Sequence, residues 1–260
     1  PVGTRYEETD TRKIFRKVNT STANYSTDFS TTVSANNTAS DNGDWTTTGT
    51  YSISSEELEG EGSQDEAPAG HGYYDLQNSN ALGSGNNASD TAWVLRMKIH
   101  WTSLSHTTDG KYALLGISDN TSANSSSESM IGVKMGSYNS GGNNYRKYTA
   151  SYRAASDTYG VGTPTAFRYS DDSTQWIEII RDGSTVTFNV STASDYTTGK
   201  ETHTVSITGT VDDLRYINVE GNARSWGNDT GNMTFEVDDI QFFNGITSAE
   251  TRTWVEKGTA

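Results

Sequence analysis

Apolar and polar residues alternate along this chain in short runs, separated by clusters of Gly, Asn, Asp and Ser. Alternation with a period of two turns one face of an extended segment to a core and the other to water. Trp176-Ile177-Glu178-Ile179-Ile180-Arg181 is such a run, and Thr185-Val186-Thr187-Phe188-Asn189-Val190 is its partner. The Asp182-Gly183 pair between them predicts a tight hairpin turn. The same reading predicts strands at 13–18, 70–76, 112–117, 130–135, 145–153, 214–220 and 234–243. Residues 45–53 form a strand bent at Gly49. Residues 92–101 form a long strand with apolar residues on both faces of its first half. One short helical turn is expected at 247–252, opened by Ser248-Ala249-Glu250. Segments 34–44, 77–90, 120–129 and 137–144 read as exposed loops, and 56–66 as an acidic, solvated excursion.

Strands at this spacing without intervening helices predict two antiparallel sheets, as a sandwich or barrel. The expected core includes Trp45, Trp93, Leu95, Leu114, Ile117, Trp176, Ile177, Ile179, Phe188 and Ile217. A chain of 260 residues is long for an average domain, but sandwiches of this size fold as single units.

Charge narrows the partners. With 19 Lys and Arg against 33 Asp and Glu, the net charge is −14. A phosphate backbone or an anionic membrane surface is repelled. The acidity reads as solubility in salty, marine-type water, or as carboxylates that hold Ca²⁺. The chain has no cysteine, which excludes disulfides, thiolate zinc sites and cysteine nucleophiles. No apolar run reaches the roughly 18 residues of a membrane span.

The opening Asp28-Phe29 pair, the Trp45 strand, the run Trp93-Val94-Leu95-Arg96-Met97-Lys98-Ile99, the 176–190 hairpin and the closing Phe235-Glu236-Val237-Asp238-Asp239-Ile240 occur in a telling order. Together they resemble the concanavalin A-like jelly roll of legume lectins, laminin-G modules and related glucanases. The resemblance implies an all-β, two-sheet antiparallel jelly-roll sandwich. It also implies one structural Ca²⁺ where the opening and closing strands meet, at Asp28, Asp238 and Asp239. The glucanases of this fold share a Glu-x-Asp-x-x-Glu strand, which is missing here. Glu236-Val237-Asp238 has the i, i+2 spacing, but on the closing strand. Lyases of the fold carry Arg-x-Glu and Gln-x-His strands. Lys98-Ile99-His100 is similar to part of this, but Met97 replaces the Gln and no Arg-x-Glu strand exists. The reading is therefore non-catalytic.

Sugar binding calls for aromatic faces beside amides and guanidinium groups. Trp101, Tyr138, Tyr145, Tyr148, Tyr152 and Trp226 lie near polar loops, and Asn222, Arg224 and Trp226 form the richest cluster. The candidate ligand residues are Arg224, Trp226, Asn222, Trp101, Tyr138 and Tyr145.

The two ends read as halves of one short sequence. Gly3-Thr4-Arg5-Tyr6-Glu7-Glu8-Thr9-Asp10-Thr11-Arg12-Lys13 and Trp254-Val255-Glu256-Lys257-Gly258 resemble a small β module of phage and archaeal-virus structural proteins. That resemblance implies a terminal β stem from 1–18 and 251–260, with Phe15 packed on Trp254, displaying a lectin-like domain at 24–246. The function expected is a virion-surface or tail-associated structural protein that binds cell-surface glycan, beside other virion proteins or as a homo-oligomer. The alternatives are a secreted carbohydrate-binding module of a marine microbe, or a glucanase or polysaccharide lyase. Either placement is extracellular or on a virion surface.

Overall fold

The computed structural model describes residues 5–8, 13–19, 22–29, 45–62, 70–77, 81–105, 112–122, 128–140, 143–154, 159–161, 173–222, 232–249 and 252–259. For 5–8, 13–19, 104–105, 112, 137–140, 143–147, 159–161, 222, 232 and 252–259 only the backbone is described. The elements are β1 (Arg5–Glu8), β2 (Lys13–Asn19), β3 (Tyr25–Thr27), β4 (Trp45–Gly49), β5 (Ser52–Ser54) and β6 (Glu57–Glu61). Then come β7 (Gly70–Asp75), β8 (Ala92–Ser105), β9 (Tyr112–Ser118), β10 (Met130–Ser140), β11 (Asn143–Arg153) and β12 (Tyr159–Val161). The last six are β13 (Ser173–Asp182), β14 (Thr185–Ser191), β15 (Glu201–Ser206), β16 (Tyr216–Asn222), β17 (Asn232–Asn244) and β18 (Arg252–Thr259).

Two large antiparallel sheets form a jelly-roll sandwich. The seven-stranded sheet runs β12-β11-β10-β9-β16-β7-β4, and the eight-stranded sheet runs β15-β14-β13-β8-β17-β6-β5, with β3 also on β17. Between them lies one core that includes Trp45, Trp93, Trp101, Tyr148, Phe188, Phe235 and Phe242. The alternation in β8 decides its placement. Leu95, Met97, Ile99 and Trp101 are fully buried in the core, while Lys98 and His100 between them are only partly covered. The bend at Gly49 takes a left-handed φ of 63°. Such a φ suits a residue without a Cβ. There the chain leaves the seven-stranded sheet at β4 and enters the eight-stranded sheet at β5.

β1, β2 and β18 make a separate three-stranded sheet. β18 runs antiparallel to β2, with Val18 opposite Thr253, Lys17 opposite Trp254 and Lys13 opposite Thr259. The packing of Phe15 on Trp254 lies outside the described side chains.

Four expectations need correction. The acidic segment at 56–66 contains a strand, because β6 pairs with both β17 and β5 and Leu58 is fully buried. The stretch 137–144 belongs mostly to the β10–β11 hairpin rather than to a loop, with Tyr138 opposite Tyr145. The helical turn at 247–252 is not formed by its described residues, and Arg252 opens β18. Trp176 is only half-buried, because it alternates with Gln175 and Ile177 and so faces away from the core. No helix long and apolar enough to cross a membrane occurs among the described residues.

Candidate functional site

The face of the seven-stranded sheet turned away from the core is polar, yet covered. Ser118, Ser151, Asn218 and Glu220 each have at most 1% of their surface exposed, and Arg153 has 4%. Part of the cover is the β9–β10 connection. Asn218 Nδ2 donates to Asn120 O at 3.0 Å, Ser122 Oγ donates to Glu220 Oε1 at 2.9 Å, and Asn120 Nδ2 donates to Glu128 Oε1 at 2.7 Å. Burial also lowers the Lys134 ammonium from its ordinary range.

One row across this face is Ser151, Gly132, Gly116, Asn218 and Tyr73, each opposite the next on the neighbouring strand. A Cβ at Gly116 would stand 2.2 Å from Ile131 O, and one at Gly132 would stand 2.3 Å from Leu115 O. The middle of the row is therefore bare backbone. Ser151 Oγ and Asn218 Oδ1 flank it, about 14 Å apart across three strand spacings. Both oxygens are buried without a hydrogen-bond partner. Such atoms are rare in folded proteins and call for an explanation by water, ion or ligand.

The sheet register also decides which candidate ligand residues meet. Asn222 is opposite Tyr112, Tyr112 opposite Gly136, and Gly136 opposite Lys147. This row ends β16 and lies two residues inside the Tyr138–Tyr145 pair. Asn222, Tyr138 and Tyr145 thus share one end of one sheet. The positions of Arg224 and Trp226, and the side chains of Asn222, Tyr138 and Tyr145, lie outside what is described.

Trp101 does not join them as a ligand-facing ring. It is fully buried, and its indole N–H donates to Tyr148 Oη at 2.8 Å and to Gln175 Oε1 at 2.6 Å. Tyr148 Oη donates in turn to Gln175 Oε1 at 2.7 Å. Tyr148 and Tyr152 are buried as well. Trp101 and Tyr148 belong to the core between the sheets rather than to a surface.

At the expected Ca²⁺ position, Asp28 and Asp239 are exposed and Asp238 is half-buried. Burial raises the Asp239 carboxyl, and the charges of Asp238 and Asp28 raise it further. The three acids are thus within one electrostatic neighbourhood. However, Asp238 Oδ2 accepts from Lys98 Nζ at 3.0 Å, and Asp238 Oδ1 accepts from the Asp239 N–H at 2.7 Å. Ca²⁺ takes six to eight oxygens. Among the described residues no three His, Asp or Glu groups converge as a metal site. Asp238 is thus already engaged by the Lys98 ammonium.

Sequence reasoning named Lys98, His100 and Glu236 but missed that they converge with Glu57 beside it. Glu57 Oε1 accepts from Lys98 Nζ at 3.3 Å, and His100 Nδ1 lies 2.8 Å from Glu236 Oε2. Burial raises the Glu57 carboxyl, and a hydrogen bond with Glu236 raises it further. Only recognition of β6 as a strand could have placed Glu57 next to β17.

These features define the protein as an all-β, two-sheet jelly-roll sandwich. Its structural similarity is to lectin I-B4 of Griffonia simplicifolia in a metal-free form, at a TM-score of 0.51 and 12% identity, covering 83% of this chain and 100% of that one. The alginate lyase from Klebsiella pneumoniae gives a TM-score of 0.49 at 9% identity, covering 76% of this chain and 85% of that one. A CBM2 module of an evolved Dit of Lactobacillus casei BL23 phage J-1 gives 0.46 at 10% identity, covering 85% and 96%. No protein-family model and no curated protein matches the chain.

Proposed function

We propose that this protein is a non-catalytic glycan-binding domain carried on a terminal β stem, serving as a virion-surface or tail-associated structural protein. The observation that carries the glycan reading is the register row that ends in the Tyr138–Tyr145 hairpin and Asn222. It gathers aromatic and amide positions at one end of one sheet. Aromatic faces and amides hold a sugar ring by contact and hydrogen bonds without activating water. The buried Ser151 and Asn218 oxygens extend the same polar face inward.

The acid cluster on the other sheet favours binding over cleavage. A glycosidase needs its two carboxyl groups about 5 Å or more apart, so that they flank the scissile bond. Glu57 and Glu236 instead stand close enough for Glu236 to raise the Glu57 carboxyl. The display reading draws support from the pairing of the two chain ends in a sheet of their own.

A glycan array probed with the full chain, with and without Ca²⁺, tests the binding. Selective retention of a glycan class is expected, reduced by Asn222→Ala and by Tyr138→Ala. An empty array would refute it. Laminarin, alginate, agar and carrageenan should release no reducing ends or unsaturated products. Turnover lost on Glu236→Gln or His100→Ala would overturn the non-catalytic reading. Immunogold labelling of particles from a culture of the source separates a virion protein from a secreted carbohydrate-binding module.

A further inference from the structure

The connection between β14 and β15 folds back over the outer face of the eight-stranded sheet. Asp195 Oδ1 accepts from the N–H groups of Thr197 and Thr198 at 2.8 Å each, and Asp195 Oδ2 accepts from Thr198 Oγ1 at 2.7 Å. This local clamp holds Tyr196 at φ 55°. A bulky side chain rarely takes that left-handed conformation, and such strain concentrates at functional positions. The strain places the Tyr196 ring 4.3 Å from the Arg96 guanidinium.

Beneath the ring is a fixed polar floor. Arg96 Nη2 lies 2.7 Å from Glu178 Oε1, and Asn189 Nδ2 donates to Glu178 Oε2 at 2.8 Å. Thr202 Oγ1 donates to Asn189 Oδ1 at 2.7 Å. Arg96, Glu178 and Tyr196 are each less than one-tenth exposed. With Ile180, Thr197, Lys200 and Ser248 they line a cavity of about 180 Å³.

We propose that this cavity binds a single sugar-acid ring, a hydroxylated ring that carries one carboxylate. The volume lies below the roughly 300 Å³ of sites for drug-sized ligands, so it suits one ring and not a chain. Two cations line it, Arg96 and Lys200, against one acid. That acid, Glu178, has both oxygens engaged by Arg96 and Asn189. Asp239 is an acid beyond the lining and sits within the field of Lys98. With Arg96 and Glu178 paired to each other, Lys200 is the lining cation that meets a carboxylate. Thr197 and Ser248 supply hydroxyls for the ring hydroxyls, and Ile180 supplies an apolar edge for its C–H groups. The cavity lies on the opposite sheet from the Tyr138–Tyr145 end, so the proposal does not depend on the glycan site there.

The test is an amide chemical-shift titration of the full chain with sodium galacturonate, with galactose and sodium acetate at matched ionic strength. Saturable shifts are expected at Tyr196, Thr197, Lys200 and Ser248. Galactose and acetate should each bind at least tenfold more weakly. Lys200→Glu, at an exposed position, should fold normally and weaken galacturonate at least tenfold. Absence of saturable shifts at these amides would overturn the proposal. So would equal affinity for galactose or acetate, or unchanged affinity in Lys200→Glu.

Discussion

Gly72 and Leu58 touch across the sandwich, and the contact can be tested by exchanging volume. Gly72 is on β7 of one sheet and Leu58 on β6 of the other. A Cβ on Gly72 would lie 3.1 Å from both Leu58 Cδ1 and Cδ2. Leu58 is fully buried, so it has little room to yield. Gly72→Ala should therefore carry an overpacking cost of about 1–3 kcal/mol. Removal of a strand glycine returns about 0.4–1 kcal/mol through the unfolded chain, which leaves a small net loss. Leu58→Ala opens a cavity and should cost about 2–5 kcal/mol. In the double variant the new Cβ enters the space that Leu58 vacates. The combined loss should fall short of the sum by about 0.5–3 kcal/mol. Urea unfolding followed by circular dichroism and tryptophan fluorescence gives the free energies, and an unchanged m-value validates them. Additivity within about 0.5 kcal/mol would show that the two residues do not touch. A Leu58→Ala cost below about 1 kcal/mol would remove β6 from the core.

Three further outcomes are expected. Glu57 has a folded-state pKa above its unfolded one, so its contribution is fully present below the unfolded value and is lost as pH rises through the folded one. Glu57→Gln should therefore gain on the wild type as pH rises above about 4, and a flat difference in melting temperature would contradict the Glu57–Glu236 contact. Trp101→Ala should cost about 3–5 kcal/mol, and glycan binding by the fraction that remains folded should persist. Loss of binding without loss of stability would return Trp101 to the ligand. Asp238→Asn should lower the melting temperature equally in Ca²⁺ and in EDTA, because the partner lost is Lys98. A loss seen only with Ca²⁺ would mean that a metal is held there.

What the sequence revealed depended on the range of the forces involved. The 176–190 hairpin and the strand at 92–101 were legible because alternation and a glycine turn are local signals. Glu57–Glu61 was not, since three outward acids mask the single inward Leu58. Glu201–Ser206 is an edge strand whose residues are polar or only half-covered, so it carries no apolar period. Trp101 misled because its partners Tyr148 and Gln175 lie 47 and 74 positions away. A nearby polar loop then looked like the relevant neighbour. The carboxylate cluster required knowledge of strand order, which no local window contains. Tyr196 sits in a run of small polar residues, and its backbone conformation follows from an Asp195 turn that only coordinates display.

The antiparallel pairing of β2 with β18 has a mechanical meaning. Lys13 and Thr259 sit side by side at one end of the pair, while Asn19 and Arg252 sit at the other. Tension applied between Lys13 and Thr259 would peel the ladder one rung at a time, which needs little force per rung. The ladder would yield before the load reached β3 and β17, where the sandwich core begins. The end sheet would then act as a tether that opens under traction while the folded sandwich, and whatever it has bound, stays intact.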